Sequence, residues 1–152
     1  MNLQTSKADF RKLDQLLSAG KWNKADEETT QLMLKCGNRE KEGYLDGDSC
    51  RHFPKEELRI IDQLWLKYSQ SRFGFSVQKE IWLDNGGKLD GSYDWDTYCR
   101  LGDKVGWRKG GDFVEYSELT FNTNAPPGHL PRVAVDWSGW ERTDGSLLFS
   151  LL

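Results

Sequence analysis

Apolar residues recur every three or four positions along most of the chain, and this spacing restricts the fold more than any other feature. It places the apolar side chains on one face of a helix that packs against a core. In the first segment, for example, Phe10, Leu13 and Leu17 are in phase. A strand-like alternation occurs only weakly, at 132–136 and 147–152. The pattern predicts an all-α fold with helices over 6–18, 23–35, 54–68, 76–83 and 94–105.

Residues with known preferences for helix ends lie at several of these boundaries. Ser6 is a candidate N-cap for the first helix. Pro54 suits the first position of the third, because its missing N–H would have no helical partner there. Asp94 is the predicted cap of the last helix, since its carboxylate can accept a bond from a free backbone N–H.

Composition bounds the class of protein. The 152 residues suffice for a single domain with a sizeable core. A net charge of −3 gives no general attraction to nucleic acid or to an anionic membrane surface. The first residues precede no apolar run of the signal-peptide type, and no apolar run is long enough for a membrane span. The three cysteines, Cys36, Cys50 and Cys99, are widely separated, which indicates free thiols in a reducing, cytoplasmic compartment.

Two long segments, 36–53 and 105–129, interrupt the helical pattern, apart from a short helical turn predicted near 117–120. Loops of this length in a compact domain are usually either functional or disordered. These two contain too many aromatic residues for disorder, so we expect them to be ordered and to form the walls of a cleft.

An enzyme is not indicated. The chain has two histidines, His52 and His129. Cys50 and His52 make a poor catalytic pair, because residues two apart in a loop need not face each other. Gly110-Gly111 beside two basic residues lacks the preceding strand and following helix that a phosphate-binding loop requires.

A flat ligand with apolar faces and carboxylate groups fits the loops better, because it needs aromatic walls and a few basic residues at the rim. Packing of the loops onto the helices is an equally good interpretation of Phe53 and Phe121. Trp107, next to glycines and basic residues, is expected to be partly exposed and to lie against the ligand. The candidate binding residues are Arg39, Tyr44, Leu45, Phe53, Val105, Trp107, Arg108, Lys109, Phe113, Phe121 and Asn124.

A specific combination of segments runs through the chain in one order: LLSAGKWNKADEETTQLML, REKEGYL, FPKEELRIIDQLWLKYSQSRFGFSVQKEIWL, CRLGDKVGWRKGG and YSELTFNTNAPPGHLP. Together they closely resemble the genomes-uncoupled-four family, the porphyrin-binding regulators of magnesium chelatase in cyanobacteria and plastids. The resemblance extends over roughly residues 9–131. It implies a helical core over 1–131, likened to a cupped hand, and a C-terminal tail, 132–152, outside the match.

The resemblance also implies a function. Family members bind protoporphyrin IX or Mg-protoporphyrin IX, and some accept bilins. They stimulate magnesium chelatase through its large porphyrin-binding subunit, in the cyanobacterial cytosol or plastid stroma, without being enzymes themselves. Peripheral membrane contact is compatible with this role. The scarcity of histidine disfavours axial ligation of a haem iron and fits a metal-free or magnesium porphyrin better.

Some features depart from the family pattern. Many relatives carry an extra helical domain before the core, whereas here Met1 lies just ahead of the first core helix. Lys55 follows Phe53-Pro54 where a cysteine is common. Relatives fused to other domains also exist, so a tetrapyrrole- or bilin-sensing domain of a signalling system remains the alternative.

Overall fold

The computed structural model describes residues 1–92, 94–132 and 146–152, and these are predominantly helical. Two strands of two residues each, Arg108–Lys109 and Asp112–Phe113, form an antiparallel pair, which is the only sheet among the described residues. The predicted all-α class is therefore confirmed. The elements in chain order are α1 (Arg11–Ser18), α2 (Trp22–Cys36), α3 (Gly47–Arg51), α4 (Lys55–Ser69), α5 (Phe75–Asp84), α6 (Trp95–Val105), β1 (Arg108–Lys109), β2 (Asp112–Phe113), a 3-10 turn (Tyr116–Glu118) and α7 (Ser146–Phe149).

The first helix begins later than the sequence predicts. The prediction that Ser6 caps it is wrong, because α1 starts at Arg11. The preceding residues form a separate turn, in which the Thr5 hydroxyl accepts bonds from the N–H groups of Lys7 and Ala8. A hydroxyl or carboxylate that bonds its own local backbone competes with the helix in this way.

The other predicted helix ends agree closely with the structure. Asp94 caps α6 as predicted, with its carboxylate accepting a bond from the Thr97 N–H. Pro54 is the residue just before α4 rather than its first residue. The predicted turn near 117–120 is the 3-10 turn, one residue earlier. The loop 36–53 contains α3, which Asp46 caps through the Ser49 N–H.

The C-terminal residues do not form a strand. Of the two weak alternations in the sequence, 147–152 does not form a strand, because residues 146–149 form α7, and most of the other, 133–136, lies outside the described residues. Leu148 and Phe149 are both buried. Their side chains enter two different parts of the core.

The core consists of two clusters. The larger lies among α1, α2 and α4, where the buried Trp65 packs beside Trp22 and Phe73 and donates from its indole N–H to the Thr29 hydroxyl. The smaller lies around α5, α6 and the β1–β2 hairpin and includes Trp82. Phe121 packs against both clusters, so the second long loop reaches the junction between them.

Candidate ligand-binding site

In the first loop, Arg39 is engaged by its own loop. Its guanidinium lies 3.4 Å from the Asp46 carboxylate and 3.9 Å from that of Glu42. It also donates to the Tyr44 carbonyl and lies 5.2 Å from the centre of the Tyr44 ring. Arg39 therefore stabilises the fold of this loop, and Tyr44 is its exposed aromatic residue.

Leu45 and Phe53, the apolar candidates in the same loop, are buried in the larger cluster. Their side chains anchor the loop to the helices, as the packing interpretation of Phe53 anticipates. Neither offers an exposed face in this conformation.

The prediction that Trp107 is partly exposed is wrong, since 5% of its surface is accessible. Gly106 adopts a left-handed conformation (φ +82°) at the end of α6, a conformation that favours glycine. The Trp107 N–H then bonds back to the Gly102 carbonyl, and the indole N–H donates to the His129 carbonyl at 2.7 Å. The turn therefore directs the indole inward, beside the equally buried Val105.

The β1–β2 hairpin presents the basic and aromatic candidates at the surface. Arg108 is paired with Asp103 at 3.0 Å. Lys109 is exposed at the hairpin turn, and no carboxylate of the described residues lies within ion-pair distance of it. Phe113 is half-buried and stacks on Tyr98, with ring centres 5.1 Å apart, and Trp95, 41% exposed, borders both rings.

Phe121 and Asn124 lie further along the second loop. Phe121 is half-buried, with its ring 5.5 Å from that of Tyr116, and Asn124 is exposed. The apolar candidates therefore fall into two groups, Leu45 and Phe53 in the larger core cluster and Val105, Trp107 and Phe113 in the smaller one. Phe121 is the candidate that contacts both clusters.

The end of the second loop and the residues just after it, together 125–132, are fixed by many bonds. Arg72 donates to the Ala125 carbonyl at 2.7 Å, and the Gln78 amide donates to the carbonyls of Gly128 and Pro131. Backbone bonds join Gly128 to Arg72 and Gly74 to Leu130. We call residues 125–132 the frame, because the corner between α4 and α5 holds them in place.

His129, within the frame, was not among the predicted site residues. Its Nδ1 bonds the Val105 carbonyl at 2.7 Å, which requires a proton on Nδ1, and its Nε2 then accepts the Thr120 N–H at 3.0 Å. Burial lowers the pKa of this imidazole, because the charged form is desolvated. Nothing in the local sequence distinguishes this histidine from a surface one.

Asp26 is the second residue that the sequence prediction missed. An acid near the start of a helix is favoured by the helix dipole without being buried, but Asp26 is fully buried. Its two oxygens accept bonds from the Tyr116 hydroxyl and the Arg132 N–H. A signal was present, because Asp26 precedes Thr29 by three positions and so lies on the buried stripe of α2.

Metal chemistry finds no support in the described residues, which contain no group of three or more side chains suited to hold an ion. All three cysteines are buried, and none of them is part of a disulfide. None of the described helices combines the length and the apolar character needed to cross a bilayer.

The fold and these contacts define a helical domain in which two ordered loops pack against two core clusters. The chain belongs to the GUN4-like family, whose model matches residues 4–145, and this confirms the resemblance found from the sequence. The match extends beyond residues 9–131 at both ends.

Similarity to individual proteins supports this assignment to the family. The chain is 34% identical to "Tetrapyrrole-binding protein, chloroplastic" of Arabidopsis thaliana over 80% of its length and 47% of the relative's. It is 29% identical to a Ycf53-like protein of Synechocystis over 81% of its length and 50% of the relative's. The chain thus spans about half the length of these relatives.

Solved structures of the family show the same fold. The ligand-free structure of Arabidopsis thaliana GUN4 superposes with a TM-score of 0.72 at 31% identity and covers 93% of both chains. GUN4 from Chlamydomonas reinhardtii gives a TM-score of 0.72 at 27% identity, covering 99% of this chain and 92% of the other.

Proposed function

We propose that the protein binds a tetrapyrrole through its two long loops. The observation that carries this proposal is membership of the GUN4-like family together with the similarity to a protein named for tetrapyrrole binding. Protoporphyrin IX and Mg-protoporphyrin IX are the ligands that the family resemblance favours. A macrocycle with propionates suits a protein that presents aromatic rings beside basic side chains.

The candidate residues divide into three roles in this proposal. Tyr44, Phe113, Phe121 and Asn124 contact the ligand, because each has accessible surface in the free protein. Arg39, Arg108 and Lys109 attract the propionates. The remaining apolar candidates support the loops by packing beneath them, since they are buried in the absence of ligand: Leu45, Phe53, Val105 and Trp107.

The role we propose is regulatory rather than enzymatic. The protein would present porphyrin to the large porphyrin-binding subunit of magnesium chelatase, in a cyanobacterial cytosol or plastid stroma. Residues 1–131 would form the binding core and 132–152 an accessory tail. The alternative is a tetrapyrrole- or bilin-sensing domain of a signalling system, which preferential binding of a linear tetrapyrrole would support. Stimulation of a reconstituted chelatase separates the two roles, because a sensor domain would leave the chelatase rate unchanged.

A fluorescence titration tests the binding itself. Seven tryptophans provide a signal that a bound tetrapyrrole should quench. Protoporphyrin IX, its magnesium form and biliverdin are titrated in parallel, and we expect saturable quenching by at least the two porphyrins. Quenching that rises linearly without saturation for all three would contradict tetrapyrrole binding.

The rim is tested by removing single charges. Lys109→Ala should weaken porphyrin binding severalfold, because a charge-assisted bond at a partly desolvated rim contributes about 1.5–3 kcal/mol and an exposed pair about 0.2–1 kcal/mol. Arg108→Ala should have the smaller effect, since Asp103 already neutralises part of the Arg108 charge. Titrations measure the affinities, and the melting temperature should stay nearly constant.

Lys104→Ala is the matched control, because it removes an exposed cation from the last turn of α6 without touching the hairpin. Equal affinities for all three variants and the wild type would place the propionates elsewhere, with Arg39 as the next candidate.

A further inference from the structure

One buried carboxylate joins two neighbouring segments of the chain that are otherwise held very differently. Asp26 is fully buried, and its Oδ2 accepts the Tyr116 hydroxyl at 2.5 Å. Its Oδ1 accepts the Arg132 N–H at 2.7 Å. Arg132 belongs to the frame, whereas Tyr116 belongs to residues 115–124, which we call the lid.

The lid has few attachments. Apart from Tyr116, its main anchors to the rest of the protein are the bond from the Thr120 N–H to His129 and the packing of Leu119 and Phe121. Most of its other residues are exposed. The frame, by contrast, bonds repeatedly to the α4–α5 corner. Segments with few buried contacts open at lower free energy than those with many, so the lid can move while the frame stays in place.

The lid covers functional candidates. Leu119 and Phe121 pack on the smaller core cluster, which contains Val105 and Trp107. These two residues are buried in this conformation, and Phe121, a proposed ligand contact, is itself part of the lid, so lid movement changes the surface offered to a ligand.

The surroundings of Asp26 disfavour its charge. Burial raises the pKa of this carboxyl from 3.8 to about 6, although the Tyr116 and Arg132 hydrogen bonds and the Arg132 charge oppose the increase. Glu27, on the same helix, adds a small repulsion. Among the described residues, these are the titratable and charged groups that face Asp26 from α2, the lid and the frame.

We propose that Asp26 is the latch of the lid: the lid is closed while Asp26 is protonated and loosens when Asp26 loses its proton. The gating of ligand access rests on the proposed tetrapyrrole function, whereas the latch itself is a property of the free protein.

The direction follows from linkage. Opening the lid breaks the bond to Tyr116 and admits water, which returns the pKa of Asp26 toward its ordinary value. A group whose pKa is raised in the closed state stabilises closure at low pH, and this contribution is lost as the pH rises from about 4 through about 6. His129 acts in the opposite direction, because charging it at low pH disrupts its bond from the Thr120 N–H. Any comparison must therefore hold His129 constant.

Hydrogen exchange of peptides from the lid, in the ligand-free protein, tests the latch. Asp26→Asn is neutral at every pH, so the lid of the wild type should exchange faster than that of Asp26→Asn at about pH 7.5. We expect about a tenfold difference, since complete release of the carboxylate to water would give at most about a hundredfold. The ratio should approach one at about pH 4. Both proteins contain His129, so its contribution cancels.

Three further variants make the test more specific. Glu27→Gln removes the neighbouring carboxylate of α2 and should leave the wild-type pH dependence in place. Tyr116→Phe removes a donor to the Asp26 anion, so it should open the lid further at about pH 7.5, opposite to Asp26→Asn. Tyr68→Phe is its control, because it removes a similar tyrosine–aspartate bond, from Tyr68 to Asp14, in which neither residue belongs to the lid or the frame.

Equal lid exchange in the wild type and Asp26→Asn at both pH values would overturn the latch. So would faster exchange in Asp26→Asn at about pH 7.5, because the anion would then be holding the lid closed.

Titration with protoporphyrin IX tests the gate separately. Asp26→Asn should bind about tenfold more weakly than the wild type at about pH 7.5, with the difference lost at about pH 4. Equal affinities despite different lid exchange would overturn gating and leave the latch. A failure of both proteins to bind would refute the proposed function, and the exchange result would still decide the latch.

Discussion

Trp107 and His129 together fix one corner of the molecule. The indole N–H of Trp107 bonds the His129 carbonyl, while the His129 ring bonds the Val105 carbonyl and the Thr120 N–H. The Arg132 guanidinium lies 4.5 Å from the Trp107 ring centre, which adds a cation–π contact. The end of α6, the lid and the frame therefore share these two side chains.

Trp107→Ala should mainly reduce stability rather than affinity. Removing a fully buried tryptophan costs about 3–5 kcal/mol, because a large cavity replaces its contacts. Chemical denaturation measures the loss in the free energy of unfolding. Trp107→Phe is the control that keeps an aromatic ring but loses the bond to His129, and we expect it to lose less. An unchanged free energy of unfolding in Trp107→Ala, combined with weak porphyrin binding, would contradict this prediction and indicate that Trp107 contacts the ligand.

Helix α5 depends on a residue of another helix for its N-terminal cap. Its own N-cap residue, Gly74, has no side chain to bond the free N–H groups. Asp62, buried on α4, accepts bonds from the Ser76 N–H at 2.8 Å and from the Ser76 hydroxyl. Gly74 has φ +134°, and a Cβ there would lie 2.9 Å from the Asp62 carboxylate, so the close approach requires glycine.

Asp62→Ala should lower the free energy of unfolding by about 1–3 kcal/mol, because buried donors at the start of α5 lose their acceptor. Denaturant unfolding checks this value. Asp62→Asn keeps an acceptor oxygen and should be milder. Glu56→Ala removes an exposed acid from the first turn of α4 and serves as the surface control. Equal losses for Asp62→Ala and Glu56→Ala would contradict the capping role.

The whole molecule joins two core clusters through the second loop and α7. The two buried titratable groups at this junction, Asp26 and His129, respond to pH in opposite directions. Burial raises the pKa of Asp26 and lowers that of His129, because in each case it disfavours the charged form.

The pKa of His129 is lowered on folding, so its neutral form contributes stability that is present above about pH 6.5 and is lost as the pH falls below it. The wild type should therefore lose stability relative to His129→Gln as the pH falls from about 7 to about 5. Chemical denaturation across this range measures the difference. His52→Gln is the control, because His52 is exposed at the end of α3. A constant difference between the wild type and His129→Gln would contradict a buried neutral imidazole.

The sequence by itself determined the four longest helices, the all-α class and the family. Local rules carry these features: the apolar period places α2, α4, α5 and α6, and the Asp94 cap acts within a single turn of chain. The start of α1 was missed, because the Thr5 and Asp9 side chains bond their own local backbone and form a turn that competes with the helix.

Only the tertiary structure decided which aromatic residues face solvent and which polar residues are buried. Trp107 lies inward because the frame, 22 residues further along, supplies an acceptor for its indole N–H. Asp26 is buried because Tyr116 and Arg132, 90 and 106 residues away, supply its donors. Burial of a polar group depends on partners that are distant in sequence. The partners that anchor the second loop therefore could not be predicted from local pattern, although the position of Asp26 on the buried stripe of α2 indicated its burial.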